Sequence, residues 1–184
     1  MDEQTVNDEQ PLDLERGAIR LTGMLAAGAL QGPLQIRDAG KPLAQLGYEQ
    51  GALHGPMQLM HPNGRLAARM HYADNVLHGP ASFFDPEGKL LHTAAYRRGM
   101  PDGDAKTYHP DGRLLQHGQY RKGRLHGLQQ RFHPNGQLAE RSRFVDGKPA
   151  GPTDAFHTDG RPLNADQQPI SRLAWWWRRW RGHD

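Results

Sequence analysis

The sequence predicts an all-β fold: an elongated single-layer antiparallel β-meander of about six 24-residue hairpin repeats, followed by a short C-terminal helix. Three series of residues predict it. Gly40, Gly64, Gly88, Gly112, Gly136 and Gly160 stand 24 apart. Gly55, Gly79, Gly103, Gly127 and Gly151 keep the same interval, and so do Tyr48, Tyr72, Tyr96, Tyr120 and Phe144. A fixed period in the range of roughly 20–50 residues is the mark of a repeat architecture. Composition agrees: only 36% of the 184 residues are hydrophobic, against about 45–50% in an ordinary globular chain. With 22 Gly and 14 Pro, the chain suits thin sheet and many turns better than a thick core.

Each repeat reads as strand, turn, strand, turn. Residues 55–78 run GPMQLM, HPNG, RLAARMHY, ADNVLH, and the same frame recurs through residue 150. Asn-Gly or Asp-Gly closes the first turn at 63–64, 111–112, 135–136 and 159–160, where glycine supplies the positive φ a hairpin needs. Pro62, Pro86, Pro110 and Pro134 preset the turn entry. Simple alternation places Leu66, Ala68, Met70 and Tyr72 on one side of the second strand, matched by Leu90, Ala94 and Tyr96, by Leu114 and Tyr120, and by Leu138 and Phe144. With the first-strand ends Met60, Phe84, Tyr108, Phe132 and Phe156, these columns are expected to form the thin core. Each hairpin then depends on its neighbours for burial.

The other side of the second strand varies between copies. It carries Arg69 and His71, then Leu91 and Thr93, then His117 and Gln119, then Arg141 and Arg143. A constant scaffold with one changing face is what a binding surface would look like; a merely solvated face is the plainer reading. Arg69, His71, His117, Arg141 and Arg143 are the candidate partner-binding residues. Pro42 and Pro162 replace the leucine of the inner copies, which suggests terminal caps, since proline suits sheet edges.

Three domains follow. Residues 1–16 hold six acids and one Arg, an acidic lead-in expected to be disordered. Residues 17–163 form the repeat array, and 164–184 a linker and a Trp/Arg-rich amphipathic tail. The first residues have neither a basic start nor an apolar core, so no signal peptide is expected. The localisation expected is cytoplasmic, with the inner membrane as the surface a peripheral protein would meet.

The pattern G-x-x-x-x-[FY]-x-x-x-G-[RK]-L, then Tyr, then x-x-G-x-x-x-G, resembles MORN repeats, and most of all the MORN-variant repeats of bacterial YwqK-type proteins. It is carried by Phe84-Asp85-Pro86-Glu87-Gly88-Lys89-Leu90 and by Arg124-Leu125-His126-Gly127 after Tyr120, and the likeness spans residues 17–163. Pro101-Asp102 departs from it where other copies have Leu-His. The resemblance implies a curved meander with no catalytic apparatus. It also implies protein binding of the antitoxin or immunity kind, or lipid association and scaffolding; fold alone does not choose.

Catalysis and metal binding are not expected. No G-x-S-x-G, P-loop or H-E-x-x-H occurs, and there is no cysteine to provide a thiolate ligand. Seven of the 11 His fall on repeat positions, and equivalents on successive hairpins would stand about 10 Å apart, too far to share an ion. Turn capping is the role expected for His61, His109, His133 and His157. No cofactor is expected.

The tail, SRLAWWWRRWRGHD, carries all four Trp. Ser171 is an N-cap, Gly182 a C′ residue, and 172–181 a helix. On a helical wheel Leu173, Trp176, Trp177 and Trp180 share one side, while Arg172, Arg178, Arg179 and Trp175 take the other. Ten residues span about 15 Å, half a bilayer core. The tail can lie in an anionic membrane interface, fold back to cap the sheet, or anchor a partner. The partners expected are therefore a cognate protein toxin or an anionic membrane surface. Nucleic acid is not favoured, because Lys and Arg are spread through the turns rather than gathered.

Overall fold

The computed structural model describes residues 8–180. The chain divides into two compact units, the first through Met100 and the second from Pro101. Unit 1 holds β1 (Glu9–Arg16), β2 (Ile19–Ala26), β3 (Ala29–Asp38), β4 (Lys41–Glu49), β5 (Ala52–Met60), β6 (Leu66–Ala73), β7 (Val76–Leu77), β8 (Gly79–Phe84) and β9 (Leu90–Arg97). They pair antiparallel in chain order, except that β6 pairs both the short β7 and β8. Unit 2 holds β10 (Met100–Tyr108), β11 (Leu114–Arg121), β12 (Arg124–Phe132), β13 (Leu138–Val145), β14 (Lys148–Pro149), β15 (Asp154–Ala155) and the helix α1 (Arg172–Trp180). There β10 to β13 form a meander, and β13 pairs both β14 and β15. The fold is all-β with one short helix, as the period predicted.

The two turns of a repeat differ. At His61–Gly64 the Gly64 N–H donates to the His61 carbonyl at 2.8 Å, and Gly64 takes φ 81°. At the other end two consecutive residues have positive φ, as at Asp74 (49°) and Asn75 (66°), the type I′ geometry whose twist suits a two-residue hairpin.

Register overturns the expected core. Leu59 pairs with Ala68, but Met60 pairs with Leu66, so Ala67 is an extra residue. The same slip separates Phe83↔His92 from Phe84↔Leu90, Thr107↔Gln116 from Tyr108↔Leu114, and Arg131↔Glu140 from Phe132↔Leu138. Consecutive residues face opposite ways, so one bulge moves the whole strand end to the other face. Leu66, Leu90, Leu114 and Leu138 therefore lie with Met60, Phe84, Tyr108 and Phe132 opposite the tyrosines, not beside them.

The tyrosine face of unit 1 is the packed one. Ala68, Met70 and Ala81 are buried, with Met57, Leu59, Tyr72, Leu77, Phe83 and Tyr96 against them. In unit 2 the same positions turn polar. Arg131 pairs with Glu140 at 3.2 Å and the Ser142 and Thr153 hydroxyls stand 2.8 Å apart, while the buried positions among the described residues are Gly118 and Pro162. Tyr120 and Phe144 continue the aromatic column there, while Tyr108, Leu114, Phe132 and Leu138 lie on the opposite face.

Two further expectations are corrected. Residues 1–7 lie outside those described, but Glu9–Arg16 is a strand, not a disordered lead-in. All eight residues pair with β2, Leu12 and Leu14 sit opposite Gly23 and Leu21, and Asp13 binds Arg20. Alternating leucines and an ion pair offset the acidic composition. Pro42, expected at a terminal edge, lies inside the unit 1 sheet beside the bulge that separates Ile36↔Ala44 from Arg37↔Pro42, a place where a missing donor is tolerated.

The histidines do more than cap turns. His61 Nε2 reaches the Phe84 carbonyl and His133 Nε2 the Phe156 carbonyl, both at 2.9 Å across 23 residues. A carbonyl only accepts, so each ring donates, tying one turn to the strand end of the next hairpin.

Gly47 marks the tightest backbone approach: a Cβ there would stand 2.3 Å from the His54 carbonyl oxygen. Gly47→Ala is expected to destabilise the protein by about 2–3 kcal/mol. At Gly64 a Cβ would meet nothing within 4 Å, and Asn tolerates its positive φ. Gly64→Asn is expected to cost under about 1 kcal/mol. Urea unfolding midpoints of the two variants check both values.

Candidate functional site

On the face opposite the tyrosines, the registers build an unbroken polar row in each unit. In unit 1 it runs Asp13, Thr22, Gln35, Gln45, Gln58, Arg69, Ser82, Thr93, every neighbour a cross-strand partner. In unit 2 it runs Lys106, His117, Gln130, Arg141, Asp154. Directly opposed side chains on one face stand about 4.5–5.5 Å apart at Cβ, so each row is a continuous polar strip.

All five second-strand candidates project from this face, yet they are not equivalent. Arg69 and Arg143 are exposed and make no ion pair among the described residues. His71 is half-buried, opposite Pro56. His117 Nε2 lies 2.9 Å from Asp104 Oδ1, and this contact is the main reason the Asp104 carboxyl titrates below its ordinary range. Arg141 is engaged within the fold: it donates through Nη2 to Asp154 at 2.9 Å and lies 6.0 Å over the Phe156 ring. The charge of Arg141 is thus already shared within the fold.

The first-strand half of the rows escaped the sequence reading. Gln58, Ser82, Lys106, Gln130 and Asp154 recur at the same 24-residue interval and are all polar. The 24-residue period carries this signal on the first strand as it does on the second.

The tail settles on the same face of unit 2. The Ser171 hydroxyl accepts from the Ala174 N–H at 3.1 Å and caps α1. Trp175 packs on Phe156 with ring centroids 6.2 Å apart. Arg179 donates to both Asp154 oxygens at 2.8 and 2.9 Å and stacks 5.3 Å over Trp175. The Asp154 side chain is only 11% exposed, so these charge-assisted bonds are the strong kind. The helix thus caps the sheet through its Trp175/Arg179 side.

Its other side stays in solvent. Trp176, Trp177 and Trp180 are 55%, 43% and 69% exposed, and Leu173 is 66% exposed. Trp176 stacks on Trp180, and Trp177 meets both edge-on. Arg178 is helical in backbone, and Gly182 lies outside the described residues. Between α1 and the sheet a cleft of about 430 Å³ is lined by Leu138, Arg141, Phe156, Pro162, Arg172 and Trp175, with Trp176 at its rim. Its floor turn is held by Asp159, whose carboxyl is lowered to about 2, chiefly by the Arg161 backbone N–H.

Asp154→Asn keeps the shape but leaves two guanidiniums on one neutral amide. The docking of α1 is expected to weaken by about 2 kcal/mol. A red shift in tryptophan emission and faster proteolysis within 164–171 check it.

A family model of the MORN repeat variant matches residues 101–122 and 125–146, the β10–β11 and β12–β13 hairpins. No curated protein matches the chain in sequence. A solved structure of an S. aureus TarM mutant in complex with fondaparinux, alpha-GlcNAc-glycerol and UDP is similar over 63% of this chain and 21% of its own, at 11% identity and TM-score 0.34. TarM itself matches over 76% of this chain and 20% of its own, at 12% identity and TM-score 0.31. A GtfA/B complex bound to UDP and GlcNAc matches over 86% and 28%, at 14% identity and TM-score 0.32. The chain thus spans about a fifth to a quarter of those proteins, and likeness at this level says nothing of activity. The two matched hairpins are MORN repeats of the variant form, and the 24-residue period and turn chemistry continue their pattern along the chain.

Proposed function

We propose that this chain is a non-catalytic binding protein of the antitoxin or immunity type, which silences a cognate protein toxin by covering it. The observation that carries the reading is the polar row opposite the tyrosines. Its scaffold repeats, while its side chains change from copy to copy: Gln45 to Arg69 to Thr93, and His117 to Arg141. Stability alone asks for nothing so varied, whereas recognition of one partner asks for a non-repeating pattern of donors and charges. Arg69 and Arg143, exposed and free of ion pairs among the described residues, are the contacts expected to matter most. Arginine is a favoured interface residue because its fork binds carboxylates bidentately.

A second reading rests on a separate observation. The exposed Trp176, Trp177, Trp180 and Leu173 surface, on a nine-residue helix with three Arg and no acid, suits an anionic membrane interface. In that reading the repeats form a peripheral scaffold and the tail holds it to lipid. No helix among the described residues is long and apolar enough to cross a membrane.

Co-expression with the product of a neighbouring reading frame tests the first reading. The chain is expected to restore growth when that product is toxic and to co-purify with it. Arg69→Glu and Arg143→Glu are each expected to weaken the complex at least tenfold, about 1.4 kcal/mol, with folding unchanged. Absence of any protective pairing, together with loss of liposome binding on deleting 171–184, would favour the second reading instead.

A further inference from the structure

We infer that the cleft between α1 and the sheet of unit 2 binds a small organic monoanion with a flat apolar body, of the aryl-carboxylate class. This site adjoins the unit 2 polar row at Arg141 and does not depend on which protein or membrane the chain meets.

Shape gives the first argument. At about 430 Å³ the cleft falls within the usual range of small-molecule sites, roughly 300–1,000 Å³. Its lining is largely apolar: the packed Phe156–Trp175 pair, Trp176, Leu138 and Pro162. An aromatic body against this lining gains burial and offset ring contact together.

Charge gives the second. No carboxylate lines the cleft, while Arg141 and Arg172 both do. Asp154 is the nearest balancing group, but it is shared between Arg141 and Arg179, so one carboxylate answers two guanidiniums. Arg172 makes no ion pair among the described residues, and its Nη2 stands 3.6 Å from the point a Gly160 Cβ would occupy, at the lip of the cleft. The lining therefore carries a surplus of positive charge beside an apolar slot. A neutral aromatic would use only the slot, and Arg172 is the one guanidinium of the lining without a carboxylate partner among the described residues. A monoanion uses both, its carboxylate on the Arg172 fork and its ring against the Phe156–Trp175 pair.

Naphthalene-2-carboxylate is the probe, with neutral 2-naphthylmethanol as its near-isostere, both titrated into the full chain followed by ¹H–¹⁵N NMR. The carboxylate is expected to bind with Kd of about 1 mM or tighter, which a ligand of about thirteen heavy atoms reaches at ordinary efficiency. It is expected to bind at least tenfold tighter than the alcohol. The indole N–H signals of Trp175 and Trp176 are expected to move, and those of Trp177 and Trp180 to stay. Arg172→Ala, an exposed position, is expected to remove the preference for the carboxylate and leave alcohol binding unchanged. Equal affinity for the two probes, shifts centred on Trp177 and Trp180, or an unaltered preference in Arg172→Ala would each overturn the assignment.

Discussion

Everything in this molecule depends on cross-strand register in a sheet one layer thick. Apart from α1 on unit 2, no second layer covers either face among the described residues, so a side chain's environment is set largely by its partner on the next strand and by which face it points to. A bulge between the Leu59 and Met60 positions, and at the equivalents in the β3–β4, β8–β9, β10–β11 and β12–β13 hairpins, therefore decides more than local geometry. It divides each of these strand pairs into a stretch whose residues share the tyrosine face and an end whose apolar residues face away. Both faces acquire an apolar row, and the polar row lies beside the second of them. A sheet without the bulge would place Leu66, Met70 and Tyr72 in one stripe and leave the opposite face wholly polar.

Much of this was legible in the sequence, and what was not has a physical cause. The hairpins were legible because turn chemistry is local: Gly64, Gly112, Gly136 and Gly160 announce positive φ without help from the rest of the chain. The face of Leu66 was not, because Ala67 looks like any strand residue and the extra count appears only when Leu59 and Ala68 are seen to pair. The strand at Glu9–Arg16 was hidden by its charge. Composition averages over a segment, while pairing reads alternate positions, and Leu12 and Leu14 alternate correctly. The five second-strand candidates were found by variation among copies, and their shared face followed from period two. That Arg141 and His117 are already engaged depended on Asp154 and Asp104, which lie on neighbouring strands rather than neighbouring positions.

The tail shows the same distinction between local and tertiary information. Its amphipathic wheel was readable, and the helix forms from Arg172 to Trp180 behind the Ser171 cap. Which side would dock was not readable, since burial of three tryptophans looks more favourable than burial of one. The outcome turns on Asp154. A nearly buried carboxylate needs compensation, and one short strand, β15, sets Asp154 where Arg141 and Arg179 both supply it. Trp175 follows because it stands four residues before Arg179 on the same side of the helix.

Docking by the minority side changes what the tail can be. A tail that hid its tryptophans would be a plug, spent entirely on stability. A tail with no anchor would present them in any orientation and lose conformational entropy whenever it met a surface. Held at Asp154 and Phe156, α1 presents Trp176, Trp177 and Trp180 as a mutually stacked group with its direction already fixed. The ordering cost has been met within the fold, so contact with a surface or partner need only remove water from the exposed rings. The same docking creates the cleft beside Arg172, because a helix resting on one aromatic pair cannot close against the sheet along its whole length. One carboxylate thus accounts for the helix's position, the exposed tryptophans and the space beneath them.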